Sequence, residues 1–113
     1  HPENNILKKG GYIAMALYKN QPVGTCALVK MDKQTFELAK MAVSPECRGK
    51  GIGYLLARHV MDKAKKLGAK KLYIESNTML KPAIDLYYKM GFKKVARQPS
   101  PYERCNIQME CML

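Results

Sequence analysis

The sequence predicts a single α+β domain built on a mixed β-sheet, and three observations support this fold class. Residues 12–43 contain three apolar segments of strand length, joined by short polar turns. From Gly51 onward, a helical period replaces the strand pattern. A second strand–helix pair and two closing strands follow without a linker or an internal repeat, so residues 1–113 are expected to form one domain.

Three strands are expected in the first part of the chain, over 12–18, 23–31 and 35–43. The turns between them, Lys19–Pro22 and Asp32–Gln34, have the lengths of hairpin connections. Strands that are joined by such short turns pair in antiparallel order. We therefore predict an antiparallel meander as the first half of the sheet.

The second half of the chain alternates helices with strands. Apolar residues recur at three- and four-residue steps after Gly51, which predicts a helix that ends at Gly68. The strand 71–75 follows, and it should run parallel to the strand before the helix, because crossover connections are right-handed. Pro82 suits the first turn of a second helix. The closing strands are expected over 92–97 and 105–112.

The most informative segment is 43–53, which reads Val-Ser-Pro-Glu-Cys-Arg-Gly-Lys-Gly-Ile-Gly and joins a strand to a helix. Such a turn presents unpaired backbone N–H groups and the positive end of the helix to an anion. Gly51 and Gly53 lack a Cβ atom, so a phosphate can approach the main chain closely. Arg48 and Lys50 add positive charge. The spacing matches neither G-x-x-x-x-G-K-[ST] nor G-x-G-x-x-G, and we predict a pyrophosphate-binding loop of another kind.

The pattern Arg-x-x-Gly-x-Gly at 48–53, preceded by Val-Ser-Pro, resembles the acyl-CoA-binding signature of the GNAT superfamily of N-acetyltransferases. The segment 83–92, Ala-Ile-Asp-Leu-Tyr-Tyr-Lys-Met-Gly-Phe, is similar to the family's Ala-Ile-x-Leu-Tyr-x-Lys-x-Gly-Phe motif. Together the two motifs and their strands cover roughly positions 11–113. The resemblance implies a GNAT-type mixed sheet, in which the antiparallel meander is followed by β-α-β-α-β-β. It also implies acetyl-CoA as cosubstrate and no metal.

The chain departs from the family pattern at its start. Family members usually begin with a strand and one or two helices, which wall part of the acceptor site. Only about ten residues stand in that place here, Pro2 to Gly11, so the N-terminal strand and helices are expected to be missing. Either the sequence is a fragment, or its acceptor site is unusually open. A frequent asparagine of the second motif is also replaced, by Leu80.

The resemblance implies an N-acetyltransferase in which a primary amine attacks acetyl-CoA directly within a ternary complex. Main-chain N–H groups of the loop would hold the pyrophosphate, at Arg48, Gly49, Lys50, Gly51, Ile52 and Gly53. Main-chain groups at Met41 and Val43 would bond the pantetheine arm like an added strand, with the Met41 N–H facing the thioester oxygen. Plain sheet packing is the alternative for both residues. Asn77 would contact the CoA arm or, alternatively, cap the following helix.

Two residues are candidates for the proton transfers. Tyr87 matches the tyrosine of the second motif and is the candidate general acid, since a phenol with a pKa of about 10 is neutral at pH 7; a core position is the alternative. Glu37 is the candidate base, acting directly or through a water. It matches the position where some relatives, including certain histone acetyltransferases, carry a catalytic glutamate; an exposed charge at a strand start is the alternative. Tyr102 or Glu103 is expected to contact the acceptor; an ordinary rigid turn is the alternative for this segment.

The net charge of +11 favours anionic partners, among them the phosphates of CoA. No zinc-finger, RNA-recognition or helix-turn-helix signature accompanies the charge, so nucleic acid is the less favoured partner. A positive surface argues against polycationic acceptors, unless an acidic pocket overrides it locally. Two alternatives to the enzyme are a non-catalytic acyl-CoA-binding domain and a basic nucleic-acid-binding module.

The four cysteines show no C-x-x-C pair and no metal-ligand spacing, which favours reduced thiols and a cytoplasmic location. No apolar run has the length of a membrane span, so no membrane partner is expected. Family members often dimerise through their last strands. The resemblance therefore allows a homodimer, and nothing in 106–113 decides it.

Overall fold

The computed structural model describes residues 6–100 and 104–113. The described chain opens with a helical turn at residues 6–8, within the Pro2–Gly11 segment. Ile6 in this turn is buried, and its side chain lies against the bare backbone of Gly11. The N–H of Gly11 donates to the carbonyl of Ile6 at 2.9 Å and closes the turn. Residues 1–5, which include the start of the Pro2–Gly11 segment, lie outside the described residues.

Three antiparallel strands follow, and they confirm the predicted meander: β1 (Tyr12–Tyr18), β2 (Gln21–Lys30) and β3 (Thr35–Val43). β2 begins earlier than predicted because its turn from β1 is only two residues long. Lys19 and Asn20 form this turn with positive φ angles of 49° and 65°, as the tightest hairpins require.

The remaining elements alternate as the sequence predicts. They are a 3₁₀ turn at Pro45–Cys47, helix α1 at Ile52–Lys66, strand β4 at Lys71–Ser76, helix α2 at Lys81–Lys89, strand β5 at Lys93–Lys94 and strand β6 at Ile107–Met112. The strand order is β1-β2-β3-β4-β6-β5, with β3 and β4 parallel and the other described pairs antiparallel. The predicted mixed sheet is confirmed. No helix of the described chain is long and apolar enough to cross a membrane.

The closing strands are shorter than predicted. β5 covers only part of 92–97, and β6 starts after Cys105. The side-chain amide of Gln108 accounts for the early end of β5, because it accepts from the N–H of Gln98 at 2.5 Å and donates to its carbonyl at 2.9 Å. Ahead of β6, the guanidinium of Arg97 donates to the carbonyl of Cys105 at 3.2 Å. Hydrogen bonds from side chains thus replace part of the main-chain pairing that was expected between the two closing strands.

The core lies on the face of the sheet that carries the helices. Phe36 of β3 and Leu72 of β4 are fully buried there against Val60 of α1. Because side chains alternate along a strand, the intervening residues of β3 and β4 face the other side. Glu37 and Glu75 belong to this second face, toward which the candidate site opens.

Candidate active site

A β-bulge interrupts β3 at Lys40. Thr25 pairs with Ala42 and Ala27 with Ala39, so Lys40 and the residue after it stand opposite a single residue of β2. Lys40 has a φ of 54°, in the left-handed region that non-glycine residues rarely adopt. A bulge re-aims the main chain and the side chains that follow it. Here the residue that follows is Met41.

β3 and β4 separate before the bulge is reached. Their described parallel pairing covers Thr35–Glu37 and Lys71–Tyr73, and it ends there. β4 continues to Ser76 in register with β6, while β3 follows β2 through its bulge. The gap between the two strands leaves main-chain groups of β3 available to a ligand that binds as an added strand.

A cavity of about 670 Å³ lies between the end of β3, the glycine loop and the start of α2. We call it the loop cavity. It collects most of the residues predicted to bind CoA, namely Met41, Val43, Arg48, Gly49, Gly51, Ile52 and Gly53. The Nε of Arg48 donates to the carbonyl of Val43 at 3.3 Å, which ties the loop to the strand. Lys50 is exposed and does not line this cavity.

The loop presents bare main chain to this cavity. Gly49 and Gly51 have φ angles of 78° and 81°. Apart from chain neighbours, no described atom lies within 4 Å of the place where a Cβ of either residue would stand. Gly51 is the N-cap of α1, whose first turn carries no acidic residue. The N–H groups of that turn, those of Ile52 and Gly53 among them, have no intrahelical partner, so the loop can bind a phosphate.

A second cavity of about 360 Å³ occupies the gap between β3 and β4. We call it the cleft. Both proton-transfer candidates, Glu37 and Tyr87, line it, and Asn77 lies at its wall. Met41 and Leu80 line the cleft and the loop cavity alike, so the two spaces meet beside the bulge. A molecule held by the loop can therefore present its far end to Glu37 and Tyr87.

Tyr87 is buried and reaches the cleft from α2. Its ring packs edge-on against Phe92, with 5.9 Å between the ring centroids. Burial, with a smaller contribution from Cys26, raises the pKa of Tyr87 to about 12. The phenol is therefore neutral at physiological pH and can donate a hydrogen bond. Tyr87 is a core residue and a cleft residue at once.

Glu37 is half-buried within β3 and lies at the cleft rather than on an outer surface. The pKa of Glu37 is raised to about 6, mainly by burial and also by the charge of Glu75, while Lys40 opposes the shift. A carboxylate with a pKa near neutrality can accept a proton from a bound ammonium group.

Comparison with known proteins decides the family. The sequence model of the Acetyltransferase (GNAT) family matches residues 2–92. The chain belongs to the GNAT family. This confirms the resemblance that the two motifs carry, and the mixed sheet agrees with it.

Relatives of this GNAT chain are known by sequence and by structure. YjgM, an uncharacterized N-acetyltransferase of Escherichia coli K12, is 38% identical over 72 residues, which are 64% of this chain and 43% of that protein. The chain thus spans less than half of this relative. A GNAT acetyltransferase structure from Staphylococcus aureus Mu50 matches with a TM-score of 0.91 at 25% identity, covering 98% of this chain and 73% of that one. One from Elizabethkingia anophelis, with acetyl-CoA bound, matches at 0.81 and 26% identity, covering 99% and 82%.

Asn77 of this GNAT chain organises the turn between β4 and α2. Its Oδ1 accepts from the N–H of Met79 at 2.8 Å, and its Nδ2 donates to the carbonyl of Arg104 at 2.5 Å. The N-cap of α2 is Leu80, and no side-chain bond caps that helix. The alternative in which Asn77 caps the helix is therefore wrong, because both ends of its amide are engaged in the turn and the cleft wall.

Sequence reasoning missed Glu75 as a site residue. It lines the cleft, and its carboxylate accepts a hydrogen bond from the hydroxyl of Tyr73 at 2.6 Å. The signal in the sequence was a glutamate at the end of an apolar strand. We used it only to place the end of the predicted strand 71–75. Tyr102 and Glu103, the predicted acceptor readers, lie outside the described residues.

Proposed function

We propose that this GNAT domain transfers the acetyl group of acetyl-CoA to a primary amine by direct attack within a ternary complex. One observation carries the proposal: the loop cavity and the cleft meet at Met41, with the glycine loop at one end and the side chains of Glu37 and Tyr87 at the other. The amine nitrogen bonds to the thioester carbon and the carbon–sulfur bond breaks. Starting from an ammonium group, one proton leaves to solvent and another ends on the thiol of CoA.

The donor is held by main-chain groups. N–H groups between Arg48 and Gly53 bind the pyrophosphate, and the segment Met41–Val43 bonds the pantetheine arm beside the gap in the sheet. The bulge at Lys40 aims the N–H of Met41 at the thioester oxygen, where negative charge develops during attack.

The two side chains of the cleft have different roles: Glu37 accepts a proton, whereas Tyr87, the candidate general acid, keeps its proton and acts as a hydrogen-bond donor. Glu37 takes the proton from the attacking amine, directly or through a water. Tyr87 donates a hydrogen bond to the departing sulfur. Because a phenol whose pKa is raised to about 12 is a weaker acid than a thiol, this bond stabilises the sulfur without the proton having to leave Tyr87.

Initial-rate kinetics of CoA release test the mechanism. Varying acetyl-CoA at several amine concentrations should give intersecting double-reciprocal lines, as a ternary complex requires. Parallel lines, with an acetyl group found on Cys47 by mass spectrometry, would contradict direct attack, since this thiol lines the loop cavity. Cys47→Ser is the matched control and should retain the intersecting pattern. Saturable acetyl-CoA binding without turnover of any amine would instead support a non-catalytic acyl-CoA-binding domain.

A further inference from the structure

We propose that the acceptor of this GNAT domain carries a second positive charge besides its reacting amine, and that Glu75 is the specificity-determining residue that binds this charge. The inference rests on the proposed acetyl transfer at the cleft. Two features support it: the way in which the protein holds the Glu75 carboxylate, and a further cavity that continues past it.

The carboxylate of Glu75 is held by three neutral donors. The hydroxyl of Tyr73 donates to Oε1 at 2.6 Å, the hydroxyl of Ser100 to Oε2 at 2.8 Å, and the Nε2 of Gln108 to Oε1 at 3.2 Å. Gln108 is itself 1% exposed and is fixed on its other side by the main chain of Gln98. These bonds fix the carboxylate at a position where it lines the cleft, and they leave its negative charge for a ligand, because neutral donors do not cancel a charge.

The proposed reaction leaves this charge unused. Glu37 takes the proton from the reacting amine, and Glu75 faces the same space from the neighbouring strand. The repulsion between the two carboxylates is felt at Glu37, where the charge of Glu75 helps to raise the pKa. A cationic group of the acceptor beside Glu75 would offset that repulsion.

A third cavity of about 480 Å³, the outer cavity, continues from the cleft beyond the two carboxylates. Glu37 and Glu75 line both spaces. The outer cavity is also lined by Asp32, Glu110 and Lys71. Lys71 is paired with Glu110 at 3.3 Å, so the charge that remains there is negative. On a protein of net charge +11 this is the local acidic pocket that admits a cationic acceptor.

Among the described residues that line the two spaces, the basic residues other than Lys71 lie on the cleft side. Lys40 and Arg104 line the cleft with exposed side chains, and neither lines the outer cavity. An acceptor whose reacting amine lies near Met41 would extend past Glu37 into the outer cavity. The residues around it would change from a mixture of charges in the cleft to a net negative charge in the outer cavity. A diamine matches this gradient, whereas an amine with an anionic tail opposes it.

Three acceptors of the same chain length test the inference, since they differ only at the end remote from the reacting amine. They are 1,4-diaminobutane, butylamine and 4-aminobutanoate. Initial rates of CoA release by the full chain give kcat/KM for each. We expect 1,4-diaminobutane to exceed butylamine by roughly tenfold or more, the usual size of a hydrogen bond to a charged group. We expect 4-aminobutanoate to be the poorest acceptor. This comparison needs no variant to fold.

Glu75→Gln removes the charge and nearly keeps the shape. It should lower kcat/KM for 1,4-diaminobutane roughly tenfold more than for butylamine. Asp62→Asn, on the exposed face of α1, removes the same charge away from the cavities and should leave the preference intact. Equal use of diamine and monoamine, or a preference unchanged in Glu75→Gln, would overturn the inference while the proposed function stands. A folded chain that releases CoA with no amine at all would overturn both.

Discussion

Glu37 of β3 lies opposite Tyr73 of β4 in the last parallel pair before the two strands separate. This position puts the carboxylate at the point where β3 and β4 separate. The side chain is half-buried there and lines the cleft. The same separation exposes the main chain around Met41 to the loop cavity. One departure from regular pairing thus creates both the space for a donor and the environment of the proposed base.

Tyr87→Phe should lower kcat about 10- to 100-fold, the worth of one hydrogen bond to a charged sulfur. The dissociation constant for acetyl-CoA should change less than about twofold, because Tyr87 lines the cleft and not the loop cavity. The ring contact with Phe92 is retained, so thermal stability should hold. Tyr88→Phe is the matched control, since Tyr88 is 49% exposed on the same helix. Equal turnover by both variants would remove Tyr87 from the mechanism.

Glu37 should set the acid limb of the pH–rate profile. Its pKa is raised to about 6, so kcat/KM should rise as the base ionises through that pH. Glu37→Gln should lose this limb and most of its activity. A profile of Glu37→Gln with an unchanged acid limb would show that another group is the base.

The stability of Glu37→Gln provides the control for that experiment. The carboxyl has an ordinary pKa of 4.5 and a folded value of about 6, so the folded chain binds the proton more strongly than the unfolded chain. Stability from this group is therefore present below about pH 4.5 and declines as the pH rises through about 6. At pH 7 the glutamine variant should be at least as stable as the parent in thermal unfolding.

Gly51→Ala should weaken acetyl-CoA binding at least roughly tenfold, because the new methyl group enters space meant for the phosphate and strains the backbone. Gly68→Ala is a close control: Gly51 and Gly68 have φ angles of 81° and 92°, and both face open space. Both variants should lose about 1–2 kcal/mol of stability for adopting positive φ. Calorimetric titration should then find weakened binding for Gly51→Ala alone. Equal affinity in the two variants would contradict the phosphate role of the loop.

The bulge at Lys40 can be tested with two substitutions that remove the same charge. Lys40→Gly suits a φ of 54° and should be as stable as the parent. Lys40→Val places a β-branched residue there and should lose roughly 1–3 kcal/mol in chemical unfolding. Both should move the acid limb of the rate profile to higher pH, since Lys40 lowers the pKa of Glu37. If Lys40→Val retained full stability and activity, the bulge would not be needed to aim Met41.

The features that could be predicted from the sequence are those encoded locally. Strand alternation, the helical period and the glycine loop each lie within a short segment, so the meander, α1 and the loop cavity residues followed from the pattern. The loop gathers Arg48 to Gly53 because they are neighbours in the chain. Tyr87 and Glu37 needed the resemblance as well, since a buried tyrosine or a strand glutamate has no local signature.

The features that could not be predicted depend on contacts between distant segments. The bulge arises in the register between β2 and β3, and a lysine gives no sign of a positive φ. Glu75 acquires its environment from Ser100 and Gln108, which reach it only through the pairing of β4 with β6. The early end of β5 has the same cause, since the Gln108 side chain bonds Gln98.

Calorimetric titration of the folded chain with acetyl-CoA tests most directly whether the loop is a CoA site. Dephospho-CoA and ATP are the comparison ligands, because they share parts of the nucleotide but differ in the arm or the ribose phosphate. We predict saturable binding of one acetyl-CoA per chain, tighter than that of ATP. A folded chain that binds no acetyl-CoA, or binds ATP equally well, would contradict the assignment of the loop and of the transfer chemistry built on it.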